Sequence, residues 1–420
     1  MNRTKSHLLF PLCGLWIFAV AALAEPDYSD PRQTGEAIEG LKERVGELES
    51  THGDFTLGGA AWLNFEYSSF NDQQKDRLGD FRFDLIRIEA RGSSGPWEIS
   101  AQYRWYEYMD VIHHAWIGYE LESGAQIQTG ISQVPFGLQP FASHSYWFGV
   151  PYYLGFEDDY QAGIKYVNQT GDWDIQAAYY PNPALATPSS NDRYAWNIVT
   201  NTDLAAGADF EGDFSPFEEQ ANRQNDQLNL RLAREVGSDS SFPTELGLST
   251  QYGRLYNEIT EDHGDHWALA LHSRSRFGAD DAWGLELEWI SYGFNPENPD
   301  GTSDDAVLFG AFLFDSLAAA EGDIYVANLT REFNVDWGPV SHLTCYLNYS
   351  VLDKAPSGWA DSKLHTTGCS ITAGPTFTFV DIIRGKNHNF MGVDPVTAFA
   401  QGDPNADWET RFNINIGIYW

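Results

Sequence analysis

The segment Arg411–Trp420 constrains the fold of this chain more than any other. Its apolar residues alternate strictly with polar or small ones, and the apolar set is Phe412, Ile414, Ile416, Ile418 and Trp420. A period of two predicts a β-strand with one apolar and one polar face. An amphipathic strand that ends in an aromatic residue is typical of a β-barrel wall, with lipid outside and water inside.

The other end of the chain predicts export. Arg3 and Lys5 precede the mostly apolar stretch 8–20, and Ala22-Leu23-Ala24 fits a signal-peptidase site. This order of features predicts a bacterial secretory signal peptide over residues 1–24. An exported chain with lipid-facing strands is expected in the outer membrane of a Gram-negative bacterium.

Composition agrees with a barrel and excludes two other classes. Aromatic residues make up 15% of the chain and there are 38 glycines, which suits aromatic girdles and tight turns. No segment after the signal peptide approaches the ~20 continuous apolar residues of a helical membrane span. A net charge of −35 argues against nucleic-acid binding, because phosphates would be repelled. That charge fits either acidic loops among lipopolysaccharides or a cation-favouring pore.

Alternating segments recur from residue 54 to residue 420, and their connections alternate in length. Short turns such as Gln169–Asp172 alternate with long connections such as Pro181–Gln224 and Phe294–Gly322. This rhythm predicts an all-β, transmembrane, antiparallel barrel of about 16 strands, with both termini in the periplasm. The segment Asp304–Ala320 is apolar on both faces, so it is either a packed loop or an extra hairpin that raises the count to 18.

Residues 25–53 are predicted to form a periplasmic linker with a short coiled-coil helix over 34–50. Ile38, Leu41, Val45 and Leu48 follow the a/d spacing of a heptad repeat. Two heptads are marginal alone. We therefore expect a homotrimer stalk, and the alternative is a single helix folded against the barrel.

Charged residues are predicted along the inner wall. The apolar parity of Phe81–Arg91 changes between Leu85 and Ile86, which a β-bulge explains. With that bulge, charged side chains of this strand and of two others face the lumen: Arg82, Asp84, Arg87, Glu89, Arg91, Arg104, Glu286 and Glu288. They form either self-neutralising salt bridges or a track for ions.

The loop at residues 135–159 is the predicted pore constriction. It is rich in aromatic residues, contains neither Lys nor Arg, and ends in Glu157-Asp158-Asp159. Such a loop must pack in a protected place, which is either the lumen or a subunit interface. Its candidate pore residues are Pro135, Phe136, Gly137, His144, Tyr146, Trp147, Tyr152, Tyr153, Glu157 and Asp158.

Other reactive residues give weaker signals. Cys345 and Cys369 lie on the apolar faces of consecutive predicted strands, so they are either a cross-strand disulfide or lipid-facing thiols. In His113-His114 the strand periodicity predicts that only one ring faces the lumen. The cluster at 261–266 is interpreted as a solvated acidic loop tip, and no metal or cofactor is predicted.

An enzymatic barrel is the alternative to a channel. A lipid hydrolase would need Ser, His and a polar orienting residue on one wall. No spacing in the sequence singles out such a set, and we predict that the protein is not an enzyme.

A family resemblance joins these features. The segment Gly130–Leu138 resembles the strand-to-loop motif of the phosphate-selective porin O and P family. The strand count, the arginine-bearing strand and the helical stretch are also similar over most of the mature chain. The resemblance implies a trimeric 16-stranded porin whose third loop enters the lumen, with Arg82, Arg87, Arg91 and Arg104 as part of an arginine ladder. Because the loop at 135–159 lacks basic residues, phosphate selectivity is not carried over.

The sequence therefore predicts an outer-membrane porin that passes small hydrophilic solutes or ions, with weak cation preference or little charge preference. Its expected partners are copies of itself, outer-membrane lipid and lipopolysaccharide. The alternatives are a phosphate or anion channel, a specific channel for sugars or aromatic acids, and a non-conducting adhesive barrel.

Overall fold

The computed structural model describes residues 54–183, 191–200, 220–392 and 394–420. The predicted signal peptide and the predicted helix at 34–50 lie outside these residues. None of the helices in the described ranges is long and apolar enough to cross a membrane.

The described residues form nineteen strands. In chain order they are β1 (Asp54–Ser68), β2 (Asp80–Ser94), β3 (Trp97–Tyr106), β4 (Asp110–Glu120), β5 (Gln126–Gln133), β6 (Tyr160–Thr170), β7 (Trp173–Pro183), β8 (Asn197–Ile198), β9 (Asn222–Val236), β10 (Thr244–Asn257), β11 (His263–Phe277), β12 (Trp283–Asn295), β13 (Ala306–Ala311), β14 (Phe314–Ala319), β15 (Glu321–Trp337), β16 (Val340–Lys354), β17 (Ser362–Ala373), β18 (Thr376–Lys386) and β19 (Glu409–Tyr419). All except β8, β13 and β14 pair in sequence into one closed antiparallel barrel of 16 strands. The predicted fold class is confirmed.

The barrel closes between β1 and β19. Leu63 pairs with Ile416 and Phe65 pairs with Ile414. The backbone N–H of Gly59 donates to the carbonyl of Trp420 at 3.1 Å, and the N–H of Trp420 donates back at 3.2 Å. Asn413 and Asn415 are buried on the inner face, while Ile418 and Trp420 are exposed on the outer face. The alternation of the last segment thus separates lumen from lipid.

The outer surface carries an apolar band between two aromatic rows. One row lies at the end with short turns and includes Phe55, Trp97, Trp173, Phe242 and Trp337. The other lies at the end with long connections and includes Trp105, Tyr179, Tyr252, Trp267, Tyr325 and Tyr349. Outward apolar residues between aromatic girdles are what a barrel in the outer membrane presents to lipid. Because barrels of this class have short periplasmic turns and longer external loops, we assign the end with the long connections to the outside.

Short helices occur only in connections within the described residues. They are α1 (Asp72–Arg77), α2 (Val150–Tyr153) and a 3-10 turn (Ala279–Asp281). The longest described connections follow β5, β12 and β18. These connections fold back over the lumen and limit the space inside the barrel.

A three-stranded sheet of β14, β13 and β8, here called the mouth sheet, lies among the external connections. Its hairpin pairs Ala306 with Ala319. It packs on the inner wall, where the hydroxyl of Tyr292 donates to the carbonyl of Ala319 at 3.1 Å. Leu317 donates its backbone N–H to Val396 of the connection after β18. Because both faces of this hairpin are covered, its sequence is apolar on both faces, and the barrel wall remains at 16 strands.

Candidate permeation pathway

A β-bulge in β2 turns its charged residues toward the lumen. The register with β1 shifts between Trp62↔Leu85 and Leu63↔Phe83, which leaves Asp84 as the extra residue. Phe83 and Ile86 are exposed to lipid, whereas Leu85 is buried on the inner side. The predicted bulge is confirmed, and it lies one residue earlier in the strand than the expected position. It allows five charged side chains of β2 to line one inner cavity: Arg82, Asp84, Arg87, Glu89 and Arg91.

The loop at 135–159 enters the barrel and is fixed to the far wall by hydrogen bonds. The N–H of Gly137 donates to Ser249 of β10 at 3.0 Å, and the N–H of Leu138 donates to Glu288 of β12 at 3.0 Å. Farther along the loop, the N–H of Val150 donates to Ser350 of β16 at 3.0 Å. The loop therefore spans the lumen from β5 to the wall opposite.

Two arginines of the far wall hold the loop backbone. The buried guanidinium of Arg231 donates to the carbonyl of Gly137 at 2.8 Å. It also pairs with Asp174 at 2.7 Å and Glu245 at 2.9 Å. Arg274 donates to the carbonyl of Gln139 at 2.6 Å. These contacts compensate the buried charge of Arg231 and give the loop a defined position.

Two predicted wall carboxylates lie beneath the loop. Glu286 and Glu288 are both buried on the lumen side of β12. Glu286 pairs with Arg274 at 2.5 Å, and Glu288 accepts the loop hydrogen bond from Leu138. Pro135, Phe136 and Gly137 of the loop also lie outside the cavity lining. Glu286, Glu288 and Gly137 thus belong to the contacts between the loop and the wall, and Pro135 and Phe136 are buried away from the cavity.

The middle of the loop reaches back to the charged wall. The hydroxyl of Tyr146 donates to Asp84 at 2.5 Å, and Asn415 donates to the same carboxylate at 3.1 Å. The ring of Trp147 lies 4.1 Å from the guanidinium carbon of Arg411 on β19. These contacts join the loop to the wall formed by β1, β2 and β19, so the space between the loop and this wall is narrow.

The acidic end of the loop is largely withdrawn from the passage. Glu157 accepts hydrogen bonds from the N–H of Ser143 at 2.7 Å and from its hydroxyl at 3.1 Å. Burial raises the pKa of Glu157 to about 8 against the opposing effect of these bonds. Asp158 accepts from the hydroxyl of Tyr194 at 2.5 Å and does line the cavity. Asp159 accepts from Gln161.

The inner space beside the loop includes a cavity of about 1290 Å³. It is bordered by the barrel wall, mainly β1–β4, β18 and β19 with single residues of β6, β15, β16 and β17, and by the loop and the segments around the mouth sheet. Of the predicted loop residues, six line it: His144, Tyr146, Trp147, Tyr152, Tyr153 and Asp158.

Most charges in the cavity form loose mixed pairs. Glu66 lies 3.4 Å from Arg82 and 3.5 Å from Arg411. Glu89 lies 3.7 Å from Arg87 and 3.9 Å from Arg91. Sequence reasoning did not select Glu66 and Arg411, although their position on the inner face follows from the alternation of β1 and β19.

Arg87 and Arg104 form a like-charged pair on the same wall. They are direct cross-strand partners in β2 and β3. Arg104 is buried, donates to Gln102 at 2.6 Å, and has no carboxylate within 4.0 Å in the described part of the chain. Aromatic rings cover both guanidinium groups. Arg104 lies 4.6 Å from the ring centre of Tyr194, and Arg87 lies 5.4 Å from that of Tyr419.

A second bulge, in β4, corrects the prediction for the adjacent histidines. His114 pairs with Gln102 and Ile112 pairs with Tyr103, so His113 is an extra residue. Both rings line the cavity, with 2.9 Å between their Nδ1 atoms. The prediction that only one ring faces the lumen was wrong because a bulge interrupts the period of two. The odd spacing between the exposed residues Ile112 and Ile117 is the signal that reveals it.

The two remaining cysteines lie on the outer surface, away from the passage. Cys345 and Cys369 are direct cross-strand partners in β16 and β17, and their sulfurs are joined at 2.06 Å. Among the described residues, no group of three or more His, Cys, Asp or Glu side chains is arranged to hold a metal ion.

Comparisons with known proteins support the fold. No protein-family model matches the sequence, and no curated protein matches it. Among solved structures, OmpT of Vibrio cholerae aligns at 12% identity over 88% of this chain and 99% of its own, with a TM-score of 0.53. The outer-membrane channel DcaP of Acinetobacter baumannii aligns at 10% identity over 88% and 98%, with a TM-score of 0.51. The OmpF structure from Salmonella typhi aligns at 10% identity over 88% and 98%, with a TM-score of 0.53.

The chain shares the closed antiparallel barrel fold of these structures. At these identities the likeness concerns the backbone architecture alone. Function is therefore argued from the cavity itself.

Proposed function

We propose that this protein is an outer-membrane porin for passive diffusion of small hydrophilic solutes or ions. The cavity of about 1290 Å³ inside a closed, lipid-facing barrel carries this proposal. Its wall supplies charged groups that replace water around a passing solute, and the loop narrows it. The loop residues from His144 to Asp158 that line the cavity are the proposed constriction, and the inner arginines and carboxylates are the proposed pore charges.

Little charge preference, or weak cation preference, is the expected selectivity. Four arginines of the cavity have a carboxylate within about 4 Å, namely Arg82 and Arg411 with Glu66, and Arg87 and Arg91 with Glu89. Such pairs neutralise one another at short range, so most of the charged side chains present only a weak field to a passing ion. The family's phosphate selectivity is less well supported, because the described cavity lining contains no lysine.

Reconstitution into a planar bilayer tests this function. We expect stepwise conductance and a reversal potential in a salt gradient that corresponds to a cation-to-anion permeability ratio of about one to three. Strong anion preference with block by submillimolar phosphate would contradict it and favour the phosphate channel. A folded barrel without any conductance would favour the adhesive alternative.

A specific channel for aromatic acids is the second candidate. It is supported by Arg87 and Arg104, two neighbouring guanidinium groups in a cavity bordered by aromatic rings. A planar aromatic carboxylate offers a ring for stacking and an anion for the guanidinium groups. Block of the ion current by benzoate at concentrations at which acetate and glucose have no effect would support this candidate over general diffusion or a sugar channel.

Transport is better supported than catalysis. Ser100 Oγ lies 2.8 Å from Nε2 of His114, a contact that also occurs in serine hydrolases. Ser100 is buried, however, and does not line the cavity, so a substrate has no access to its hydroxyl. Retention of conductance in a Ser100→Ala variant would agree with a structural role.

We also propose a homotrimer, which the heptad pattern at 38–48 and the resemblance to the porin O and P family support. The outer bond between Cys345 and Cys369 is proposed to staple β16 to β17 in the oxidising periplasm. Native mass measurement of the protein in mild detergent tests the trimer. A mass that corresponds to a monomer at all protein concentrations would contradict this proposal.

A further inference from the structure

A cluster of basic side chains lies on the lipid-facing side of β17 and β18, at the external end. It consists of Lys363 and His365 on β17 and Arg384 and Lys386 on β18. Their neighbours Leu364 and Ile383 are buried on the inner face, so the four basic residues point outward. We call this cluster the outer basic patch.

The strand register places basic side chains directly opposite each other, and the two lysines among them are like charges. Lys363 pairs with Lys386, and His365 pairs with Arg384. Paired strands lie about 5 Å apart, and every second residue along a strand lies about 7 Å from the last. The four side chains therefore project from a small area of the outer surface. Like charges in direct opposition destabilise a sheet unless an anion lies between them.

The protein itself supplies few counter-charges here. Lys363 pairs with Asp361 at 3.2 Å. Arg384 and Lys386 make no ion pair with any residue in the described ranges, and Arg384 is exposed. Four basic groups gathered on one outward face are unexpected in a chain with a net charge of −35. This patch therefore favours an external anion.

The position of the patch indicates which anion. Tyr349 of the external aromatic row is the cross-strand partner of His365, with 6.3 Å between ring centres. The guanidinium of Arg384 lies 5.5 Å from the ring centre of Trp408, which is exposed. Aromatic rows mark the level of lipid headgroups. The patch thus lies at the headgroup level of the external leaflet, where the phosphates of lipid A are located.

We propose that the outer basic patch binds a phosphate group of lipid A in lipopolysaccharide. Arg384 and Lys386 provide the main contacts, because guanidinium and ammonium groups at headgroup depth attract anionic lipid. This proposal requires that this end of the barrel is external. It does not require that the barrel conducts ions.

Native mass spectrometry of the detergent-solubilised protein with added bisphosphoryl lipid A tests the proposal. We expect retained lipid A on the unmodified protein and at least tenfold weaker binding to the double variant Arg384→Gln/Lys386→Gln. Lipid A without phosphates should bind the unmodified protein as weakly as bisphosphoryl lipid A binds the double variant. The matched control is Arg234→Gln/Arg331→Gln, which removes two outward arginines at the opposite end that also lie over tryptophan rings, at 5.2 and 4.8 Å. It should bind lipid A within twofold of the unmodified protein.

Several outcomes would overturn the proposal. Equal losses in both double variants would indicate a general charge effect, and equal binding of phosphorylated and dephosphorylated lipid A would exclude phosphate recognition. Loss of oligomers with unchanged lipid A binding would identify the patch as a contact between copies of the chain. Conductance measured on the same samples separates the two proposals, because a lipid A defect with normal conductance leaves the porin function intact.

Discussion

The two halves of the lumen differ in how they meet the loop at 135–159. On β9–β12, β15 and β16 the loop backbone is bound by buried wall side chains such as Arg231 and Glu288. On β1, β2 and β19 the same loop makes side-chain contacts, in which Tyr146 donates to Asp84 and Trp147 lies over Arg411, and a cavity remains beside them. One half fixes the loop and the other half leaves room for solute. We therefore expect that the proposed pore's width depends on the anchored wall and its selectivity on the opposite wall, so that the two can be changed separately.

Removal of the central anchor should have the largest effect. Arg231→Ala deletes the bond to Gly137 and leaves Asp174 and Glu245 without their buried partner. Breaking a buried pair costs about 3–5 kcal/mol, part of which is lost loop attachment. We expect a several-fold increase in single-channel conductance with added noise, and a lower urea midpoint.

The control for this variant is Arg91→Ala on the open half. The side chain of Arg91 is 65% exposed and its ion pair with Glu89 is 3.9 Å long. Such a pair contributes about 0–1 kcal/mol. If both variants changed conductance equally, the assignment of pore width to the anchored wall would be wrong.

Arg104→Gln should change selectivity without changing width. It removes a buried positive charge from the passage but not a contact of the loop backbone. We expect the cation-to-anion permeability ratio to rise by about two- to fivefold, since one charge near 4–5 Å in a partly wet site is worth roughly 1 kcal/mol or more. Benzoate block, if present, should weaken about tenfold. A reversal potential that does not change would contradict the role given to this wall.

Trp147→Ala tests the aromatic face of the loop over the open half. The ring contributes a cation–π contact with Arg411, worth about 0.5–2 kcal/mol. We expect a conductance increase below twofold and weaker benzoate block. Tyr152→Ala, in which the ring also lines the cavity, is the companion variant. Unchanged block in both variants would argue against a role of the loop aromatics in solute binding.

The smallest expected effect is a pH dependence of the loop. The pKa of Glu157 is raised to about 8 in the folded protein from an ordinary value of 4.5. Because the folded state holds this proton more tightly, stability is full below about pH 4.5, falls as pH rises to 8, and is constant above. We expect loop noise to increase over that range, and Glu157→Gln, which stays neutral, to remove the dependence. A variant with the same pH profile as the unmodified protein would rule out Glu157 as the group responsible.

The sequence predicts the wall of this protein better than its lumen. Residues such as Ile414 and Ile416 face lipid, so the alternation of a single strand is sufficient to orient them. The meeting of Tyr194 with Arg104, or of Trp147 with Arg411, joins segments far apart in the chain, and no local pattern encodes it. Glu286 and Glu288 illustrate the limit. Alternation correctly orients them inward but cannot tell that a loop covers them.

The bulge at His113 has a consequence for how β4 can vary. The residues on either side of it already alternate correctly, with Ile112 outward and His114 inward. A deletion of His113 alone would therefore restore an uninterrupted strand without exchanging its lipid and water faces. Most single-residue deletions in a barrel strand invert the strand beyond them, whereas a deletion at this position removes a cavity-lining ring and keeps both faces of β4 in place.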